Sequence, residues 1–148
     1  MTTAARKALS HGRPGVLIDT GVLVALYRYA DPRHNDVVSW LAGFKAVMHT
    51  VESVLTEAAF FMLPQSRAVL AELAAGGRLQ IHRPDAAGYT RMTELFGKYA
   101  DQDPDWADMG LVWLAEATGI ARIATLDVAD FSVYRINGRR RFELELLR

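Results

Sequence analysis

The chain reads as an α/β protein, a three-layer sandwich whose central, mostly parallel sheet of four to five strands is flanked by helices. Three observations predict this. Val16-Leu17-Ile18 is an unbroken apolar run, the pattern of a strand buried on both faces. Further short, mostly apolar runs at 45–50, 79–82 and 122–126 lie between helical patterns, and strands alternating with helices imply parallel pairing through crossovers. At 148 residues and 51% hydrophobic content, the chain suits a single domain that buries about two thirds of its unfolded surface.

In order, residues 1–15 form a loose basic leader carrying Arg6, Lys7 and Arg13, with Gly12, Pro14 and Gly15 punctuating the approach to the first strand. The folded domain is expected over 16–148. After Asp19, a short helix begins at Gly21 and runs to Tyr27. Asp31-Pro32 opens a second helix by the rule that a cap precedes proline, and it continues to about Phe44. Lys45 to Thr50 is the second strand. Thr50 to Ser53 then supplies a capping box for a helix that reaches Leu63 and stops at Pro64. Ser66 to Ala75 is helical and closed by Gly76-Gly77, and Leu79 to His82 is the third strand. Asp85 to about Ala100 is helical. Asp103-Pro104 starts the next helix, which ends at Gly119 before a fourth strand, Arg122 to Leu126, that stops on Asp127. Phe142 to Leu146 alternates with period two and reads as a terminal edge strand.

Composition excludes several classes. With 23% charged residues and no low-complexity tract, the chain is globular and not disordered. It contains no cysteine, so disulfides and thiolate metal sites are absent and a reducing cytoplasm is the expected compartment. No apolar run approaches the ~18 residues of a membrane span, so no membrane association is expected. The formal net charge of +0 says nothing about partners, but Arg135, Arg139, Arg140 and Arg141 crowd together near one end, beside a turn at Asn137-Gly138.

Four acids stand where apolar periodicity expects none. Asp19 closes the first strand, and in open α/β sheets ligands bind beyond the carboxyl ends of the strands. Asp is equally a favoured cap for the helix that follows. Glu57 shares a helical face with Val54, Phe60 and Phe61, while Glu52 points away. Asp108 is aligned with Leu111, Val112 and Ala115, with Asp105 at the edge of the same stripe. Asp127 ends a strand as Asp19 does. Carboxylates drawn together in apolar surroundings repel one another and lose hydration, a conflict that a divalent ion resolves. Oxygen-only ligation points to a hard ion, Mg²⁺ or Mn²⁺, and the four histidines at 11, 34, 49 and 82 lack zinc-site spacing.

The same residues resemble a known family. Leu17-Ile18-Asp19-Thr20, Thr56-Glu57, Asp105-Trp106-Ala107-Asp108 with the apolar helix behind it, and Thr125-Leu126-Asp127-Val128-Ala129-Asp130-Phe131 occur in the order seen in PIN-domain nucleases. The likeness is strongest to VapC-type toxins of bacterial type II toxin–antitoxin pairs and covers roughly residues 16–135. Asp31 with His34 also resembles the family's second-helix entry. The resemblance implies a PIN-like fold and an acidic site of Asp19, Glu57, Asp108 and Asp127, with Thr125 and Asp105 as secondary candidates. It further implies an RNA substrate, a cognate antitoxin protein and a homodimer. Gly21 stands where the family often has Ser or Asn, and Met109-Gly110 where a small residue such as Ala is common.

The expected activity is hydrolysis of RNA phosphodiester bonds with Mg²⁺ or Mn²⁺ as cofactor. Asp19 and Asp108 are then the direct metal ligands, and the arginines at 135, 139, 140 and 141 are candidates to grip the RNA backbone. Two other readings stay open. Asp19-Thr20-Gly21 superficially resembles an aspartyl-phosphate phosphatase, although Gly21 replaces the second acid such enzymes need. A non-catalytic RNA- or protein-binding module with the same fold is the alternative.

Overall fold

The computed structural model describes residues 15–146, so the basic leader lies almost wholly outside the described residues. Five strands form one parallel sheet: β1 (Val16–Ile18), β2 (Met48–Val51), β3 (Leu79–His82), β4 (Arg122–Ala124) and β7 (Glu143–Glu145), in the order β3-β2-β1-β4-β7. All four pairings are parallel, with Leu17 opposite His49 on one side and Ile123 on the other. The terminal strand sits at the sheet's edge beside β4, as its alternation predicts.

Among the described residues, seven α-helices surround the sheet: α1 (Thr20–Tyr27), α2 (His34–Gly43), α3 (Glu52–Phe60), α4 (Pro64–Ala75), α5 (Ala86–Lys98), α6 (Trp106–Thr118) and α7 (Val128–Val133). On one face Ile18 and Met48 share an apolar nest with Val22, Leu23, Val37, Trp40 and Leu73. Opposite, α6 packs on β2, α3 and α5 and buries Met109, Leu111, Val112, Leu114 and Ala115. The expected three layers are therefore present. Gly110 lets α6 sit close on β2, because a Cβ there would meet Val51 Cγ2 at 3.2 Å.

Several element boundaries differ from the sequence reading, each for a local reason. Helix α2 starts at His34 and not at Pro32, because Asp31 spends its carboxylate on the Arg33 amide in a tight turn (2.8 Å). The capping box at Thr50 does not form: its hydroxyl donates instead to the Ile18 carbonyl at 2.7 Å, tying β2 to β1 inside the core. Helix α3 ends at Phe60, and α4 then takes Pro64 as its first residue, where a missing amide costs nothing. Asp103 is not a cap. It lies in the left-handed region (φ 47°) after a 3-10 turn at Ala100–Gln102, and Asp105 starts α6 in its place. The turn at Asn137-Gly138, both at positive φ, closes a small antiparallel hairpin of β5 (Arg135–Ile136) and β6 (Arg140–Arg141) that apolar patterning does not reveal.

Candidate active site

The strand order creates the site. The chain lays β2 and β3 on one side of β1, then returns to place β4 on the other, so the crossovers diverge between β1 and β4. Such a switch point opens a crevice beyond the carboxyl ends of the strands. Here the crevice is a cleft of about 630 Å³ lined by Asp19, Thr20, Glu57, Asp105, Asp108 and Asp127, together with Gly21, Val24, Arg28, Asp31, Phe61, Leu126, Val128 and Ala129. The four acids singled out from the sequence thus share one cavity, as does Asp105.

Three of the acids reach the cleft as helix caps. Asp19 precedes α1 and accepts from the Thr20 amide at 2.8 Å. Asp105 precedes α6 and accepts from the Asp108 amide at 2.7 Å, and Asp127 precedes α7 and accepts from the Asp130 amide at 3.0 Å. Capping and lining the cleft are therefore compatible roles, and each acid meets the positive end of a helix. Thr125 links two of them: its hydroxyl donates to Asp19 Oδ2 at 2.8 Å and accepts from the Asp127 amide at 2.9 Å. Asp108 projects from the first turn of α6 and Glu57 from the interior of α3. Tyr134, fully buried, donates its hydroxyl to Asp108 Oδ2 at 3.0 Å, and Thr20 donates to Glu57 Oε2 at 3.2 Å.

Glu57 reaches the cleft in company other than the sequence suggested. Val54 and Ala58 are the buried residues of α3, while Phe60 is 77% exposed and Phe61 50% exposed. The Phe60–Phe61 end of the stripe expected to bury Glu57 thus faces outward while Val54 is buried, and Glu57 is half-buried at the cleft wall.

The electrostatics are uncompensated. Among the described residues no salt bridge reaches Asp19, Glu57, Asp105, Asp108 or Asp127. Burial raises the Asp19 carboxyl from 3.8 to about 6, against the opposing hydrogen bonds from Thr125 and Thr20. Burial, then the charges of Asp105 and Asp19, push Asp108 up to about 8. Glu57 is raised as well, by desolvation first and Asp105 second.

Among the described residues, no three His, Asp or Glu side chains close into a ready-made metal cage. The donor set still fits a hard divalent cation: the oxygens are all carboxylate, and none is engaged by a cationic side chain. Mg²⁺ typically retains several waters and takes only one or two carboxylates directly, so an open arrangement suits it.

The sequence reading missed two residues here. Arg28 is, among the described residues, the cleft's only lining cation, and its signal was available, because it ends α1 four and eight residues after Val24 and Thr20. Tyr134 left no such signal. Conversely, none of Arg135, Arg139, Arg140 and Arg141 lines the cleft. The Arg135 guanidinium folds back onto the carbonyls of Ser132, Val133 and Tyr134, and Arg140 approaches the Gly119 carbonyl and Glu143.

Comparison with known proteins agrees with this architecture. The chain resembles the crystal structure of Mycobacterium tuberculosis VapC20, a sarcin–ricin loop-cleaving toxin, with a TM-score of 0.69 and 18% identity over 77% of this chain and 91% of that one. Comparison with curated proteins gives no match. The PIN-domain family model matches residues 16–136, which span every acid of the cleft, and the chain belongs to the PIN-domain family.

Proposed function

We propose that the protein is a Mg²⁺- or Mn²⁺-dependent endoribonuclease of the VapC type, the toxin member of a toxin–antitoxin pair. The observation that carries this reading is the cleft itself: six carboxylates, none in a salt bridge among the described residues, gathered where the strand order diverges. Asp19 and Asp108 would hold the ion directly, with Glu57 and Asp127 positioned for its waters or for a second ion. When bound, a divalent ion there supplies Lewis-acid activation of water and offsets the charge that builds on the phosphate.

The chain's own residues do the rest. Thr125 and the Thr20 amide fix both oxygens of Asp19, and Tyr134 holds one oxygen of Asp108, so the two carboxylates are oriented before substrate arrives. Arg28 places a cation at the mouth of a cavity that would otherwise repel a polyanion. No side chain is needed as a covalent nucleophile. An antitoxin protein and a homodimer belong to the same proposal through the resemblance to VapC toxins, as does a cytoplasmic location. No described helix is long and apolar enough to cross a membrane.

The decisive experiment is cleavage of RNA by the wild type and by Asp108→Asn, each with Mn²⁺ or Mg²⁺ and with chelator. Cleavage only by metal-loaded wild type is expected. RNA bound but never cut would favour the non-catalytic binding module.

A further inference from the structure

A second cavity is lined by the same two helices, α3 and α6, that supply Glu57 and Asp108 to the acidic cleft, and we infer that it is a base-stacking subsite for single-stranded RNA. The inference rests on the ribonuclease reading for its substrate. This cavity, of about 210 Å³, is walled by Ser53 and Thr56 of α3, by Arg83 and Tyr89, and by Trp106 at the start of α6. The two cavities share no lining residue but draw on the same two helices: Thr56 precedes Glu57 on α3, and Trp106 lies in the first turn of α6 with Asp108. A strand with a phosphate at the acids would carry its neighbouring nucleotide past α3 and α6 into this space.

The chemistry of the lining matches that nucleotide. Trp106 is 55% exposed and Tyr89 40% exposed, although large aromatic rings are usually well buried. Their ring centroids are 6.2 Å apart, and Phe96 lies against Trp106 at 5.9 Å, so the indole is held in place while part of it remains open. Exposed aromatic faces beside a cation are how single strands are bound without sequence preference: bases stack and the phosphate is held by charge. Arg83 is exposed, and among the described residues it makes no salt bridge, which leaves it available to a phosphate. Glu52 on the same rim opposes the anion, so Arg83 is the local attractor. The volume falls below the ~300 Å³ of typical small-molecule pockets, which suits one base.

The test uses a fluorescently labelled single-stranded oligoribonucleotide and the full chain carrying Asp108→Asn to prevent cleavage. Adding Trp106→Ala should weaken binding about 5- to 100-fold, the range of a lost stacking contact. Trp106→Phe should restore most of it, and Arg83→Ala should lower the salt dependence by about one phosphate contact. Bound RNA should also quench tryptophan emission, and the quench should vanish in Trp106→Phe, since Trp40 and Trp113 are less exposed. Equal binding by all these variants, with unchanged melting temperatures, overturns the subsite. So does a Trp106→Ala protein that changes its oligomeric state but keeps its RNA affinity, because the aromatic face is then a protein interface. The two readings fail separately. Cleavage by wild type with no effect of Trp106→Ala removes the subsite alone, whereas Trp106-dependent binding without metal-dependent cleavage removes the nuclease and leaves the subsite.

Discussion

Asp108→Asn should stabilise the metal-free protein while ending its activity, and the size of the gain can be worked from the cleft. The carboxyl titrates near its ordinary 3.8 when unfolded and is pushed up to about 8 when folded, chiefly by burial and then by the charges of Asp105 and Asp19. A raised acid pKa means that the folded state binds the proton more tightly. Its stabilising effect is complete below pH 3.8 and is lost as pH rises toward 8. At neutral pH this penalty is roughly 4 kcal/mol at most, from about 1.4 kcal/mol per unit. Sharing of the effect with Asp105 and relaxation of the site bring the expected gain to about 2–3 kcal/mol. Asparagine keeps a carbonyl oxygen for the Tyr134 hydroxyl, so the substitution orphans no buried donor. For a domain of this size the variant should melt roughly 4–12 °C above wild type at pH 8, with the gap closing near pH 4. Melts followed by circular dichroism with chelator across that range give the curve. Mn²⁺ should raise the wild-type midpoint at pH 7.5 and leave that of Asp108→Asn much less changed. A pH-independent gap, or a variant that melts lower at pH 8, would refute the electrostatic account.

Four further outcomes are expected. Tyr134→Phe removes the one hydroxyl that, among the described residues, donates to Asp108 and should lower kcat several-fold to tenfold with little change in the RNA affinity of the Asp108→Asn background, measurable by cleavage rates and binding together. Helix α5 offers two glycines of opposite sign: Gly97→Ala has nothing within 4 Å and should stabilise by about 1 kcal/mol, whereas Gly88→Ala would press its Cβ to 2.7 Å from Trp113 Nε1 and should destabilise by about 1–3 kcal/mol in thermal or urea melts. The His49–His82 pair, Nδ1 to Nε2 at 3.0 Å, is held neutral; burial, then the neighbouring His82, lower His49 from 6.5 to about 4. Its contribution is complete above pH 6.5 and lost as pH falls toward 4. Discounted for its half-exposed position, it is worth about 1 kcal/mol and should be missing from the acid limb of a His49→Gln melt series. Finally, Arg28→Ala should weaken RNA binding in proportion at all sequences and flatten its salt dependence, read by titration at several ionic strengths.

What was legible in the sequence followed from periodicity. Val16 to Ile18 and Ile123 to Ala124 are apolar because both faces of a central parallel strand are covered, and the acid that ends each run is visible for that reason. Asp108 was equally plain, since α6 is buried along most of its length and a charge inside it stands out. Glu57 was located for a partly mistaken reason: α3 runs past the edge of the core, so Phe60 and Phe61 are exposed, and an apolar stripe cannot distinguish a cleft wall from a core. Contacts made across long loops left no local trace. Tyr134 meets Asp108 only after β4 and α7 have been placed, and Thr50 abandons a cap because β1 lies beside it. The arginine cluster lies on and beside a small hairpin and does not line the cleft, because proximity in sequence carries no information about which cavity a side chain serves.

Because Asp19, Asp105 and Asp127 each close off the start of a helix, the scaffold itself requires them. On the proposed function, a lineage relieved of any need to cut RNA would be slow to discard these three, since each loss would remove a helix cap. Glu57 and Asp108 carry no such obligation, and Asp108 strains the fold that houses it. Inactivated descendants should therefore keep most of the acidic signature and give themselves away at those two positions first.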